Sequence, residues 1–455
     1  MTGLSRRAML LRTLAATAAA VTGHRSGAQT TSSLPWRNWS GGQSSTPAGR
    51  FAPASEEALQ SFLATTHGAL RPVGAGHSFS GLVPTNGHLV VLDRIAGLTG
   101  HDAASATFGA GTRLSETGPV LEAIGQALNN LPDIDRQTLA GAIATGTHGT
   151  GYNLTSLAAQ STGIRLIAPD GTIHDLERAK DEALFRAAQV SLGALGLVTQ
   201  VRMQTRAAYR LKERSWMQLT EEVLEDFETK ARTHRHFEMF PLTHSKYASV
   251  LAIDETDDPI DNPPVPEAEA AASDDLMRNL QNVPPMARQT IIDAAVADTP
   301  ASPSIVDASY KVLANVRNYR FNEMEYSVPI EAGAACLREI LKTISDDNID
   351  VVFPLEYRYV AGDDAWLSMF HGGPRASISI HRDARFDYRP YFDAIEPIFW
   401  KYEGRPHWGK VHALGYQELR KLYPRFDEFR AIRESFDPQG RLLNAHLKHV
   451  FGIAS

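Results

Sequence analysis

A single cysteine, Cys336, stands among 455 residues, so the chain can form no intrachain disulfide and no cysteine-based metal site. That lone thiol reads as a small buried hydrophobe. There is no basic excess: the net charge is −7 and the sequence pI is near 6.2, which argues against nucleic acid as the main partner. No apolar run reaches the roughly 20 residues that span a bilayer. No Gly-Lys-Ser/Thr follows a glycine loop, which removes the P-loop. Phe79 stands where the third glycine of a G-x-G-x-x-G fingerprint belongs, which leaves a nicotinamide-dependent enzyme a distant reading. What remains is an ordinary globular composition, 43% hydrophobic and 21% charged, with length for two or three domains.

Two glycine-rich loops carry most of the information. Arg71-Pro72-Val73-Gly74-Ala75-Gly76-His77-Ser78-Phe79-Ser80-Gly81 is answered by Ala140-Gly141-Ala142-Ile143-Ala144-Thr145-Gly146-Thr147-His148-Gly149-Thr150-Gly151. Glycine lets a backbone turn tightly and approach a ligand, with N–H groups free to point at anionic oxygens. Either loop alone is most simply a turn. Together they suit a diphosphate lying along a groove, and each carries a histidine placed to meet a cofactor's reactive end. The pair points to a flavin site.

The N-terminus reads as an address. Ser5-Arg6-Arg7-Ala8-Met9-Leu10-Leu11 matches a twin-arginine pattern, followed by the mildly apolar run Leu14 to Val21 and by Ser26-Gly27-Ala28, small residues suited to cleavage. The expectation is a signal peptide over 1–28 and a periplasmic or secreted bacterial protein; the bland alternative is a chance arginine pair before an Ala-rich tail. Residues 29–50, rich in Ser, Thr, Gly and Pro, read as a linker or arm.

Helix and strand alternate from there. Ser55 is placed to cap a helix with Leu59, Phe62 and Leu63 on one face, closed by Gly68. A strand into Val73 delivers the first loop, His88 to Asp93 forms another, and Thr107 to Gly111 ends a third. Pro119 is expected to start a helix. Pro169-Asp170-Gly171 marks a hairpin between Ile164–Ala168 and Thr172–His174, and a further strand runs through Met203. After Arg206 come longer polar helices and aromatic-rich strands. Asp254 to Asp275 holds nine acidic residues and four prolines with no Lys or Arg, a solvated surface loop or, alternatively, a lid.

Four motifs together resemble the vanillyl-alcohol-oxidase-type flavoproteins, and within them the sugar-lactone (gulonolactone and arabinonolactone) and alditol oxidases. They are Gly74-Ala75-Gly76-His77-Ser78, Ala144 through Gly151, Arg405-Pro406-His407-Trp408-Gly409-Lys410, and Asp437-Pro438 through Asn444. The resemblance implies an α+β chain: a two-part FAD-binding domain over 51–206, an α+β substrate or cap domain over 207–414 with an acidic insert at 254–275, and a C-terminal segment, 415–455, returning to their interface. It implies FAD bonded covalently through His77, which matches the family's flavin-linked histidine. It also nominates Arg71, Gly74, Ala75, Gly76, Ser78, Gly141, Ala144, Thr145, Gly146, His148, Gly149, Gly151, Leu197, Val198, His407 and Lys410 for the cofactor. For His148, packing within the loop remains an equal alternative.

The chemistry is expected downstream. In Glu356-Tyr357-Arg358, strand alternation puts the Glu and the Arg on one face, where an Arg stabilises an anionic ring and a Glu binds substrate hydroxyls. His381 falls where alditol oxidases place a proton-accepting histidine, and an imidazole titrates in the range that task needs; an ordinary polar strand residue is the competing reading. Lys410 matches the family lysine that stabilises a developing alkoxide. Ala142 stands where some alditol oxidases hold substrate with a serine, and the Tyr423, Pro424, Phe426 and Phe429 segment looks more like a lactone oxidase. The implied reaction needs no metal: a CH–OH group of an aldonolactone, or alternatively an alditol, is oxidised by FAD and oxygen is reduced to hydrogen peroxide. A dehydrogenase using a cytochrome or quinone, and a non-catalytic flavin-binding protein, are the rivals. The partners are a small polyhydroxylated substrate and an electron acceptor, with neither nucleic acid nor stable membrane insertion expected.

Overall fold

A computed structural model describes residues 31–32, 34–264, 279–315 and 319–454. The twin-arginine segment and residues 265–275 of the acidic insert lie outside the described residues. The chain builds three main sheets. The first contains β1 (Thr31–Ser32), β2 (Gly49–Phe51), β3 (Leu70–Val73) and β4 (His88–Val91) in the order β1-β2-β4-β3, with β2, β4 and β3 parallel. The second contains β5 (Leu98–His101), β6 (Ser105–Gly109), β7 (Ser161–Ile167), β8 (Ile173–Glu177) and β9 (Leu197–Gln204) in the antiparallel order β8-β7-β9-β6-β5. The first glycine loop leaves β3, and the second starts in the short helix Leu139–Ala144.

The N-terminal helix spans Glu56–Thr65, and Ser55 Oγ accepts from the Ala58 N–H as its cap. Leu59, Phe62 and Leu63 are its buried face. The Pro169-Asp170-Gly171 turn joins β7 to β8 as expected. Pro119 does not start its helix: that helix spans Leu114–Ala123, opened by the Glu116 carboxylate accepting from the Arg113 N–H. Glu at the third position is the start signal that outweighed the proline. The arm before Phe51 is no loose linker either. Trp36 and Asn38 are buried, and Asn38 donates to the Ser78 carbonyl beside the first glycine loop.

The third sheet comprises β10 (Arg210–Leu219), β11 (His236–Pro241), β12 (Tyr247–Thr256), β13 (Ile305–Ala308), β14 (Phe321–Pro329), β15 (Glu356–Val360), β16 (Arg375–Asp383) and β17 (Arg405–Pro406). Its order is β13-β10-β12-β11-β15-β16-β14-β17, antiparallel throughout. Because strand side chains alternate, this sheet has two unlike faces. One carries Phe237, Tyr326, Tyr357 and Tyr359 against helices: Phe227 of helix Thr220–Thr233 packs on Phe237, Tyr357 and Tyr359, and Phe399 of helix Arg389–Lys401 stacks on Tyr326 at 4.8 Å. The other face looks toward the glycine loops. The C-terminal segment closes the join: Asp437 accepts from the N–H groups of Arg441 and Leu442, and Asn444 donates to the carbonyls of Gly81, Leu82 and Pro84. No helix among the described residues is long and apolar enough to cross a membrane.

Candidate active site

Two concavities meet at the first glycine loop. The first is a groove lined by backbone and small apolar side chains, including Pro72, Val73, Gly74, Ala75, Gly76, Val90, Gly111, Gly141, Ala144, Gly193 and Val198. A Cβ on Gly74 would fall 2.0 Å from Thr138 Oγ1, and one on Gly141 would fall 2.9 Å from the same atom. The two glycine loops therefore cross at Thr138, and only glycine lets them. The groove runs on into a cavity of about 410 Å³, with His77, Ser78, Gln137 and Thr145 lining both. An elongated dinucleotide fits this form: a glycine-floored channel for the diphosphate that opens into a chamber for the reactive ring.

His77 stands at the junction. Its loop is gripped from both sides: Trp39 N–H donates to the Gly76 carbonyl, Phe79 N–H donates to the Gly409 carbonyl, and Ser80 Oγ donates to the Trp408 carbonyl. The imidazole stacks on Trp39, with centroids 5.1 Å apart. Burial, helped by the charges of Lys410, Arg113 and Arg136, pushes its pKa down to about 4. It is a neutral, orientated nitrogen base at the mouth of the groove.

The chamber is made by the inward face of the third sheet. β14 supplies Glu323 and Glu325, β11 Glu238 and Phe240, β15 Glu356 and Arg358, β16 His381 and β10 Glu213. Lys410 and His407 enter from the loop after β17. Arg358 Nη1 lies 2.6 Å from Glu356 Oε1 and Nη2 lies 3.6 Å from Glu325 Oε1. Burial opposes the Arg358 charge, but Glu356, Glu325 and Glu238 raise its pKa above the ordinary value. Lys410 Nζ is ion-paired with Glu323 Oε2, and His381 Nε2 lies 3.6 Å from Glu323 Oε1. Burial alone would raise Glu323, but Lys410 and His381 hold it down at about 2. Glu325 is likewise held well below the carboxylate range, against burial, by His148 and Arg358. Burial and the neighbouring Glu356 carboxylate push Glu238 up to about 8.

The tautomer of His381 follows from its surroundings. Nδ1, 3.2 Å from the Pro354 carbonyl, makes the hydrogen-bonding contact, so the neutral ring carries its proton there, while Nε2 faces the Glu323 carboxylate at a looser 3.6 Å. A proton taken up at Nε2 would lie beside the Glu323 carboxylate.

Several nominated residues do other work. The Arg71 guanidinium donates to the carbonyls of Leu82, Leu192, Gly193 and Leu442, so it ties the groove wall together and has little left for a phosphate. Gly146, Gly149, Gly151 and Leu197 line neither space. Gly146 turns at φ +74, Gly149 passes so near the Leu131 carbonyl that a Cβ would sit 2.3 Å from it, and the Gly151 N–H donates to the Tyr359 carbonyl, linking loop to sheet. Leu197 is core. Ala142 is also fully buried in the core and does not face the chamber. His148 lines the chamber: Nε2 is 2.7 Å from Glu325 Oε1 and Nδ1 is 3.0 Å from the Gly149 carbonyl. His407 is neutral, its pKa pushed down to about 3 by burial, and its Nδ1 accepts from the Gly409 N–H to set the loop. Trp408 packs, with Nε1 donating to the Leu367 carbonyl.

Sequence reading missed Glu213, Glu238, Glu323 and Glu325. The available signal was a carboxylate recurring at alternate positions in otherwise apolar strands, as in Phe321 to Val328. His148, Glu325 and His407 place their ligand atoms within 4.8 Å of one another, a spacing that could hold a metal ion. The Arg358 guanidinium against the same Glu325 opposes a second cation there.

Comparisons with known proteins give the chain a family. The family described as D-arabinono-1,4-lactone oxidase matches residues 201–450, and the family described as FAD binding domain matches residues 47–177. An L-gulono-1,4-lactone dehydrogenase of Mycobacterium tuberculosis is 31% identical, the match covering 92% of this chain and 99% of that protein. An alditol oxidase of a Streptomyces species is 29% identical over 91% of this chain and 98% of its own. Among solved structures, the cholesterol oxidase of B. sterolicum superposes with a TM-score of 0.76 at 15% identity, covering 93% of this chain and 97% of the other, a likeness of fold.

Proposed function

This chain belongs to the D-arabinono-1,4-lactone oxidase family and is an FAD-linked oxidoreductase acting on CH–OH groups; we propose that its substrate is an aldonolactone, that oxygen is the acceptor, and that FAD is bonded to His77. The observation that carries this reading is the convergence of Lys410, Glu323, His381 and the Glu356–Arg358 pair in one chamber entered past a neutral His77. FAD, held along the groove, would supply the hydride acceptor and the route of electrons to oxygen.

The side chains supply the rest. Glu356 and Arg358 bind and orient substrate hydroxyls, one accepting and one donating. His381 Nε2 removes the hydroxyl proton, and the Glu323 carboxylate stabilises the imidazolium that results. The Lys410 ammonium, held by Glu323, faces the oxygen on which negative charge develops. His77, uncharged at neutral pH, keeps a nitrogen lone pair through which it would hold the flavin at the mouth of the groove. The crowd of carboxylates favours a neutral polyhydroxylated substrate over an aldonate or uronate, because like charges in a partly desolvated chamber repel. Export through the twin-arginine pattern of residues 5–11 is part of the same proposal; sequencing the mature N-terminus from the periplasmic fraction tests it.

The deciding experiment joins a denaturing gel to a substrate screen. The protein band should fluoresce as a flavin, and the fluorescence should vanish in His77→Ala. Aldonolactones should bleach the flavin anaerobically, and air should restore its colour with release of peroxide. Because the first relative named above is a dehydrogenase, the acceptor is the sharpest point of risk: reduction of dyes without peroxide would overturn the oxygen assignment. Alditols turning over faster than lactones would overturn the substrate.

A further inference from the structure

Beside the chamber lies a smaller side cavity of about 30 Å³, walled by Thr150, His236, Glu238, Leu251 and Arg358. Glu238, Leu251 and Arg358 line the main chamber as well, so the two spaces adjoin through a shared wall. Strand alternation in β11 explains the placement: His236, Glu238 and Phe240 point inward while Phe237 and Met239 pack in the core.

His236 is the unusual group here. It is only 2% exposed, and its Nδ1 lies 2.8 Å from the Thr150 carbonyl. A carbonyl only accepts, so Nδ1 holds the proton and Nε2 is a bare acceptor. Burial, reinforced by Arg235, pushes the pKa down to about 4, so the ring stays neutral in ordinary buffers. Nε2 is buried and has no hydrogen-bond partner. Leaving such a buried acceptor unmet is unfavourable, a penalty that a matching donor removes. The cavity has room for one oxygen-bearing group of about the size of a water.

We propose that this side cavity is a subsite for the distal hydroxymethyl group of the substrate, whose O–H donates to His236 Nε2 while the carbon being oxidised stays in the main chamber. The inference rests on the lactone-oxidase reading and narrows it to substrates with a primary hydroxyl remote from the reacting one. A permanently bound water has the same donor chemistry and is the competing occupant.

The test pairs a hydroxymethyl-bearing aldonolactone with its terminal deoxy analogue. The wild-type holoenzyme should favour the hydroxylated member in kcat/KM on the order of 10- to 100-fold, as expected for one buried hydrogen bond left unmet. His236→Phe, which removes the acceptor, should bring the two within about threefold, and His236→Gln, which restores one, should recover part of the preference. Equilibrium binding of the two corresponding product lactones, read from the flavin absorbance, should show the same ratio without turnover. Equal kcat/KM and equal binding in the wild-type protein, which involve no variant, would assign the cavity to water and overturn the subsite. Failure of every lactone and polyol to reduce the flavin would instead sink the lactone-oxidase reading itself.

Discussion

The groove and the chamber adjoin, yet they are built from opposite materials. The groove is backbone: glycines, alanines and short aliphatics, with Arg71, His77 and Asp93 the only ionisable residues on its wall among the described residues. The chamber is side chain: among the described residues, six carboxylates, four histidines, one arginine and one lysine surround a space of about 410 Å³. A cofactor bound by close backbone approach needs few charged groups, because N–H dipoles serve a diphosphate. Chemistry on a hydroxyl needs proton acceptors and fixed charges, which only side chains provide. Residues in the groove should therefore govern whether flavin stays, and residues in the chamber how fast it is reduced.

Four measurements can break or sharpen that division. Lys410→Ala should slow anaerobic flavin reduction by about 10²- to 10³-fold, the usual loss when one fixed charge facing a developing oxyanion is removed. Flavin content should not change; if Lys410→Ala leaves reduction within a factor of two, the charge assignment fails. Glu323→Gln should lower kcat on the order of 10- to 100-fold with KM moved less than about threefold, because a neutral amide neither anchors Lys410 nor stabilises protonated His381. A change confined to KM would make Glu323 a substrate contact instead.

On the groove side, Gly74→Ala drives a Cβ against Thr138 Oγ1. It should cost about 1–3 kcal/mol of stability and lower the flavin-to-protein ratio, with turnover per bound flavin within about twofold. A drop in turnover at full flavin loading would blur the two regions into one. The last effect is one of pH. His236, His407, His412 and His446 all have pKa values pushed down by burial, to between about 3 and about 4. The unfolded chain therefore binds protons that the native fold refuses, and stability falls as pH drops from about 6.5 toward 4 at up to about 1.4 kcal/mol per pH unit for each ring. Glu238, held up near 8, and Asp363, raised by burial to about 6, contribute the opposite slope together with the raised Glu213, Glu356 and Glu396; they do not offset the four rings and the likewise depressed His244 and His371. Calorimetry near pH 5.5 should find net proton uptake on unfolding; proton release would reverse the sign of this account.

How much of the two regions could be read in the sequence tracks how far apart their parts lie in the chain. The groove's two loops are contiguous strings, so their glycines, His77 and His148 stood out. Even so, Gly146, Gly149 and Gly151 line neither space: a string of letters does not separate a glycine that clears a ligand from one that clears a neighbouring group. In the chamber, Glu356 and Arg358 were legible because they sit two apart on one strand. Glu238 and Glu323 were not, since each gains its partners from strands that are remote in sequence: Glu238 pairs in register with Arg358, and Glu323 with His381.

The sequence by itself determined the family, the flavin loops, the hairpin at Pro169 to Gly171, the inward face of Glu356 and Arg358, and the absence of disulfides, since each is a matter of local spacing or composition. Only the tertiary structure decided which carboxylate holds Lys410, which tautomer His381 and His236 adopt, and that the arm before Phe51 grips the His77 loop. Those are contacts between segments far apart in the chain, and burial and hydrogen bonding between such segments fix charge and proton position only once the sheets have closed.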